Sequence, residues 1–377
     1  MRCHTRIIVE SFFEIGVLAL TSLVTTITET LRYRGAIGQW SWVLHRITGL
    51  GVVLFLTLHV IDTSWSVFYP ALYAEAIAIY QTPLFTIGEF VLVASVIYHA
   101  FNGLRIALFD ARPALWKYQA KAAQIVIVAT VLLLIPVFLL MFGHVLDFYN
   151  SGPFILSLDK VIAGQLPFAA GIGAAIVAAI FFSAVTGAIA GDKAFGSMTG
   201  KGGGSKIERF WWSFMRVSGV LIIPLVFGHL AMMHLIQGVF ELTAPAQTVV
   251  GTTMTNVTGT ATEFVAQRWN FLFAGVAIWR IYDWLLLGLV VLHGFNGLRY
   301  VLTDYTMNSP LLRRAAVYLC TIGAAVLLVL GGGALLNTID SSAIEIAHEA
   351  TCHINPDFET CRDGAPIPVN ELSTGAE

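Results

Sequence analysis

Histidine, arginine and aspartate recur in this 377-residue chain at spacings that repeat themselves. HAFNGLRIALFD at 99–110 and HGFNGLRYVLTD at 293–304 agree in eight of twelve letters. WVLHRITG at 42–49 is answered by WSFMRVSG at 212–219, both of the form W-x3-R-I/V-T/S-G. Thirteen residues beyond each arginine of that motif stands another histidine, His59 and His229. Imidazole both ligates metals and moves protons near neutral pH. A lone histidine in an apolar helix is commonly a hydrogen-bonded core residue, but four at matched positions in a duplicated chain point to a shared task.

Depth sorts the four into pairs. His99 is 10 residues from the end of its apolar run and His293 is 11 from Asp304, so both fall near the middle or in the half nearer the arginine motifs. His59 and His229 lie roughly 20 Å along the helix from their arginines, in the opposite half. Facing histidines in a helical bundle suit bis-imidazole ligation of b-type haem: His99 with His293 for an inner haem, His59 with His229 for an outer one. Gly103 and Gly297 follow the inner pair at i+4 and predict a bare helix surface against which a porphyrin could lie. At the arginine end, Arg46, His45 and Arg216 could pair with haem propionates or a quinone, the alternative being snorkelling to lipid phosphates. Asp304 and Tyr305 close the sixth apolar run at the same end, where a tyrosine hydroxyl beside a carboxylate and an arginine could protonate a quinone oxygen. Asp110, at the matching place in the first copy, is expected to meet water.

The elements that must hold these residues are membrane helices. Of all residues, 57% are apolar and 12% charged, with a mean hydropathy of +0.77, whereas soluble domains carry about 25% charged residues. Runs of about 20 apolar residues cross a bilayer core, and seven are expected, at roughly 40–67, 83–109, 122–146, 168–190, 211–238, 272–302 and 312–337. In the sixth, a short interfacial piece before Arg280 is expected to precede the true span. Backbone in lipid must satisfy its own hydrogen bonds, which makes the fold class an all-α polytopic transmembrane bundle. Residues 7–30 carry Glu10 and Glu14 early, and read as a helix on the membrane surface or on a partner rather than a span or a signal peptide.

Basic residues orient the chain. Arg32 and Arg34, Arg112, Lys117 and Lys121, Lys193, Lys201, Lys206 and Arg209, and Arg313 with Arg314 fall on one side. The alternate segments (147–167, 239–271 and the tail after 338) hold only Lys160, Arg268 and Arg362. The positive-inside rule therefore predicts a cytoplasmic N-terminus and an external C-terminus. Both arginine motifs then face the cytoplasm, so the two three-helix repeats are parallel. Three helices leave the chain outside, and the run at 168–190, without charge or histidine, serves as an extra connector helix. The expected organisation is an N-terminal interfacial segment (1–37), a first repeat (38–147), a loop, connector and basic linker (148–209), a second repeat (210–338) and an external tail (339–377). GSMTGK in that linker is one residue short of a phosphate-binding loop. Four cysteines give no metal signature; Cys352 and Cys361 in the tail suit either a disulfide in an oxidising compartment or two free thiols.

H-R-x-T/S-G on one helix, H-x3-G-x-R on the next and H…L-T-D-Y on a later one resemble the membrane cytochrome b of succinate:quinone oxidoreductase, complex II, from about residue 38 to 337. The chain looks like two small anchor subunits of that family fused head to tail. The resemblance implies that His99 and His293 hold the haem shared by most members, and His59 and His229 the outer haem of two-haem members. It implies that Arg46, Asp304 and Tyr305 line a cytoplasmic quinone site. Trp42 stands where some members carry a quinone-binding serine, a departure that alters how the quinone is seated. Menaquinone is the acceptor favoured by two-haem members. His234 is a spare outer-haem candidate without a partner in the first copy. No flavin fingerprint or iron–sulfur cysteine run occurs here, so a flavoprotein subunit carrying FAD and an iron–sulfur subunit are the implied partners at the cytoplasmic face of a prokaryotic plasma membrane. No nucleic-acid partner is expected, and the whole complex could form a higher oligomer. The rival readings are a quinone-linked cytochrome b of another dehydrogenase or of a hydrogenase, and a parallel-repeat transporter with a histidine proton relay.

Overall fold

A computed structural model describes residues 28–29, 32, 35–191 and 206–362. Most of the expected interfacial segment 7–30, nearly all of the basic linker and the end of the tail lie outside the described residues. Proline sets several helix starts, since its missing N–H costs nothing in the first turn. It opens α1's successor α2 (Pro70–Tyr80), which follows α1 (Ile37–Phe68), and also opens α3 (Pro83–Ala111). A 3-10 turn at Pro113–Tyr118 leads into α4 (Gln119–Asn150), and α5 runs Leu158–Ala190. The second copy holds α6 (Lys206–Leu230, continued by a π turn at Ala231–Ile236), α7 (Ala261–Asn270), α8 (Ile278–Tyr305) and α9 (Pro310–Leu336). The tail adds α10 (Ser341–Ile354) and α11 (Glu359–Arg362).

Among the described residues, seven helices are long and apolar enough to cross a membrane, one for each expected run. Large apolar residues such as Ile125, Val177, Ile189 and Val329 point outward, which costs nothing where the surrounding solvent is hydrocarbon. Four of the seven, α1, α3, α6 and α8, pack in a ring, each against the next. Helix α4 lies outside against α3, and α9 against α8 and α1. The connector α5 packs chiefly on α9. There Ser183 donates to the Leu311 carbonyl at 2.7 Å, and Arg314 reaches Ser183 Oγ at 3.3 Å. A Cβ at Gly187 would collide with the Arg314 guanidinium, so the small residues of the connector are what admit that arginine.

Two boundaries differ from expectation, the fourth and the fifth, and the sixth falls where the piece before Arg280 placed it. The connector starts ten residues early, at Leu158, and runs straight through Pro167. The sixth run yields its span only from Ile278; residues 271–277 form a tight turn, bridged at Phe273–Val276 and with positive φ at Ala274 and Gly275. The fifth gives up α-helical pairing after Leu230 for the π turn.

The larger difference lies at the end of the bundle opposite the arginine motifs. Segment 239–271 and the tail as far as Arg362 are structured, and with α2 they fold into a cap. A two-residue hairpin pairs Gln247 with Asn256 and Thr248 with Thr255. Beneath it α7 is buried from Ala261 through Trp269. Thr260 accepts the Glu263 N–H at 3.2 Å, and Glu263 reaches back to the Thr258 N–H and hydroxyl, both at 2.6 Å. This is a capping-box arrangement that satisfies donors at the helix start. Cys352 and Cys361 form a disulfide, and Thr360 beside it donates to the Thr258 carbonyl at 3.0 Å, tying tail to loop.

Candidate functional site

Each repeat seats its own mid-helix histidine in a slot cut by a glycine. A Cβ built on Gly49 of α1 would lie 2.8 Å from His99 Cε1, and one on Gly219 of α6 would lie 3.2 Å from His293 Cε1. The residue before each glycine carries a hydroxyl that meets the imidazole. Ser218 Oγ lies 2.9 Å from His293 Nδ1; Thr48 Oγ1 lies 3.5 Å from His99 Nδ1, which also faces the His45 carbonyl at 3.1 Å. The T/S-G of the arginine motif is thus a receptor for the histidine of the next helix. Engaging Nδ1 in this way sets the ring's orientation and leaves Nε2 free of these contacts, as supporting hydrogen bonds do for a histidine at a metal site.

The two copies then diverge. His45 stacks on His99 with ring centres 3.9 Å apart and planes within 9°; its counterpart is Met215. Gly103 and Gly297 face these two side chains, His45 and Met215, at ordinary contact distance, each 3.6 Å from where a Cβ would stand. At the other depth, His59 and His229 approach across the ring of helices with centres 6.0 Å apart and planes at 73°. His229 Nδ1 is buried without a hydrogen-bond partner, and Phe55 stacks on His59.

At the arginine end the repeats exchange charges. Arg46 of the first copy pairs with Asp304 of the second, and Arg216 of the second pairs with Asp110 of the first, at 2.6 Å from Nη2 and 3.0 Å from Nε. Each arginine lies 3.8 Å over the tryptophan one turn earlier, Trp42 or Trp212. Asp110 therefore has a protein partner and does not simply meet water; the signal was its alignment with Asp304 in the repeat. Tyr305 sits beneath Arg46 at 5.7 Å and is half exposed, as is the Asp304 carboxylate. Arg46, Trp42, Asp304 and Tyr305 form one accessible cluster, whereas Arg216 belongs to the mirror-related cluster. Chemically, the first offers a planar donor fork, a phenolic hydroxyl and a carboxylate to a neutral carbonyl-bearing ligand.

Sequence reasoning did not single out two histidine–carboxylate pairs near the cap. His144 Nδ1 lies 2.6 Å from Glu241 and its Nε2 3.1 Å from the Leu235 carbonyl. His234, the spare haem candidate, is engaged at Nδ1 by Glu89. Both pairs border a cavity of about 280 Å³ walled by Phe90, Phe138, Phe142 and Phe240. Glu89 and Glu241, isolated acids in apolar surroundings, were the available cue.

The fold and these clusters define a tandem-repeat, multi-pass membrane subunit. The family described as succinate dehydrogenase/fumarate reductase transmembrane subunit matches residues 26–138 and again 201–331, and the chain belongs to that family. It is 39% identical over 104 residues to the succinate dehydrogenase 2 membrane subunit of Mycobacterium tuberculosis, covering 28% of this chain and 76% of the relative. It is 34% identical over 83 residues to the succinate dehydrogenase hydrophobic membrane anchor subunit of Archaeoglobus fulgidus, covering 22% of this chain and 71% of that one. Neither alignment is longer than one of the two repeats. No solved structure matches.

Proposed function

We propose that the chain is the di-haem cytochrome b anchor of a succinate dehydrogenase or fumarate reductase in a respiratory chain, passing electrons between an iron–sulfur subunit and menaquinone. The observation that carries this reading is the approach of His59 and His229 across the α1–α3–α6–α8 ring, with ring centres 6.0 Å apart. Imidazole is a common haem-iron ligand; these two buried rings, with His229 Nδ1 unpartnered among the described residues, would hold an outer haem, while His99 and His293, seated in the slots of Gly49 and Gly219, would hold an inner one. When bound, these groups supply one-electron transfer through the bundle.

The residues of this chain do the rest. Arg46, braced on Trp42, donates N–H bonds to a quinone carbonyl and favours the charge that develops on its oxygen as it is reduced. The Tyr305 hydroxyl supplies a proton to that oxygen, and Asp304, exposed and paired with Arg46, links the hydroxyl to water. Menaquinone gains two electrons and two protons overall and leaves as the quinol. His45 and Arg216 would lie toward the inner haem, and Arg46 and Arg216 make this end cationic; in this reading it is cytoplasmic and docks the flavoprotein and iron–sulfur subunits. Dicarboxylate chemistry belongs to those partners.

The test is a pyridine-haemochrome assay on the purified complex with haem counted per copy of this chain. Two b haems, falling to one in His59→Ala, is the expected result. A single haem unaffected by His59→Ala would leave His59 and His229 structural, and a haem-free complex would remove the cytochrome reading altogether.

A further inference from the structure

The cap sends one cation down onto the bundle. Arg268, on α7, is only 4% exposed, and burial pushes its guanidinium below the usual arginine range. Its side chain is held in place: the guanidinium carbon lies 4.0 Å over the Trp279 ring centre, and Trp279 is pinned by its indole N–H to the Gly251 carbonyl at 2.8 Å. Gly251 has φ +76°, and a side chain there would overlap Trp279, so loop and tryptophan are shaped to each other. Nη1 donates to the Val250 carbonyl at 3.0 Å, and Nη2 reaches Met232 Sδ at 3.7 Å. Met232 is three residues beyond His229, in the π turn that continues the same helix.

What this setting lacks is an anion in contact. Among the described residues no carboxylate forms a salt bridge with Arg268. Buried Asp283 acts on it only through space, and spends one oxygen on the Trp269 indole N–H at 2.9 Å. A buried cation whose hydrogen-bond partners are a carbonyl and a thioether is costly unless a matching anion shares the site. A guanidinium stacked on an aromatic face keeps its edge for in-plane acceptors and fits a carboxylate with two parallel bonds.

We propose that Arg268 is the propionate anchor of the outer haem, so that the cap is part of that haem's binding site. The proposal rests on the di-haem reading. In it, Arg268 is a positioning residue that closes the outer haem site with a positive charge and raises the haem's reduction potential by favouring the more negative, reduced state.

The experiment is an optical redox titration of both b haems in the intact complex, with haem counted for each preparation. In Arg268→Gln both haems should remain. At its former midpoint the outer haem's reduced-to-oxidised ratio should fall about tenfold, a shift of about 59 mV to lower potential for one electron, and the inner haem should not move. Arg268→Lys keeps the charge and should restore most of that shift. Two haems with unchanged potentials in Arg268→Gln would overturn the proposal, as would equal shifts in the Gln and Lys variants, which would assign the residue to packing. Resonance Raman of the unaltered complex reads the same contact without mutation. A propionate bending band at the hydrogen-bonded position for the outer haem supports the proposal, and a band at the unbonded position opposes it. Fewer than two haems in the unaltered complex would instead remove the di-haem reading itself.

Discussion

Replacing Gly49 by alanine tests the glycine slot most directly. In an exposed helix, Gly to Ala gains about 1 kcal/mol from backbone entropy. At Gly49 the added methyl would stand 2.8 Å from His99 Cε1, so the imidazole must withdraw, and overpacking of this kind costs about 1–3 kcal/mol. The net effect on stability is therefore a loss of up to about 2 kcal/mol. The effect on ligation is larger in kind, because the ring cannot retreat from Gly49 and also keep its Nε2 in place. Gly219→Ala meets His293 at 3.2 Å and should be milder, displacing the ring by a few tenths of an ångström. Gly51, on the same helix with no neighbour within 4 Å of a built Cβ, is the control and should gain stability. The assay is haem content per chain with low-spin EPR of the purified complex, alongside a thermal melt. Gly49→Ala should lose the inner haem and keep the outer, Gly219→Ala should retain both with shifted inner-haem g values, and Gly51→Ala should match the parent. If Gly49→Ala keeps two haems with unchanged g values, the slot does not set the histidine and the argument from the T/S-G motif fails.

Tyr305→Phe should lower quinone reduction on the order of 10²-fold, the scale of a lost proton donor, while electron delivery from succinate to a water-soluble dye stays at the parent rate. Cys352→Ser should destabilise the cap by about 2–4 kcal/mol, the usual worth of a disulfide, seen as a lower first thermal transition that reductant reproduces in the parent. His348, half-buried beside that disulfide, has its pKa held below the usual histidine value by burial. Its unfolded form binds the proton first, so cap stability should be full above about pH 6.5 and decline as the pH falls toward the lower folded value. His348→Gln should flatten that dependence in a melt series from pH 7.5 to 5.

How much was legible beforehand varied with the kind of signal. The bundle was, because lipid permits few solutions: runs of apolar residues give helices, and the duplicated W-x3-R and H-x-F-N-G-L-R motifs mark equivalent ones. Which residues would meet was legible only in part. Arg46, Trp42, Asp304 and Tyr305 are brought together, but i+4 spacing says only which face Gly103 shares with His99 and nothing about its neighbour from another helix, His45. Asp110 was misjudged because it was weighed alone. The cap was missed for a different reason: its segments are short, polar and far apart in sequence, so no periodicity joins them. Thr260 and Glu263, spaced as a capping box, were the one local cue to α7, and it was not read. The Glu89–His234 and His144–Glu241 pairs lie across |i−j| of 145 and 97 residues, and separation of that kind leaves no local pattern.

The exchanged charges bear on how two repeats came to need one another. Arg46 meets Asp304 and Arg216 meets Asp110 through the same geometry, so either repeat carries both halves of a self-complementary contact and would satisfy it equally well against a second copy of itself. Such a surface attracts without discriminating. Correct partnering is instead enforced by the covalent tether, which raises the local concentration of the second repeat far above that of any other molecule, and by α5, whose hold on Arg314 has no counterpart in the first half. Joining the repeats in one polypeptide guarantees a one-to-one ratio of unlike halves, and so frees each half to diverge. His45 opposite Met215, and a cap to which the two repeats give unlike segments, are marks of that freedom.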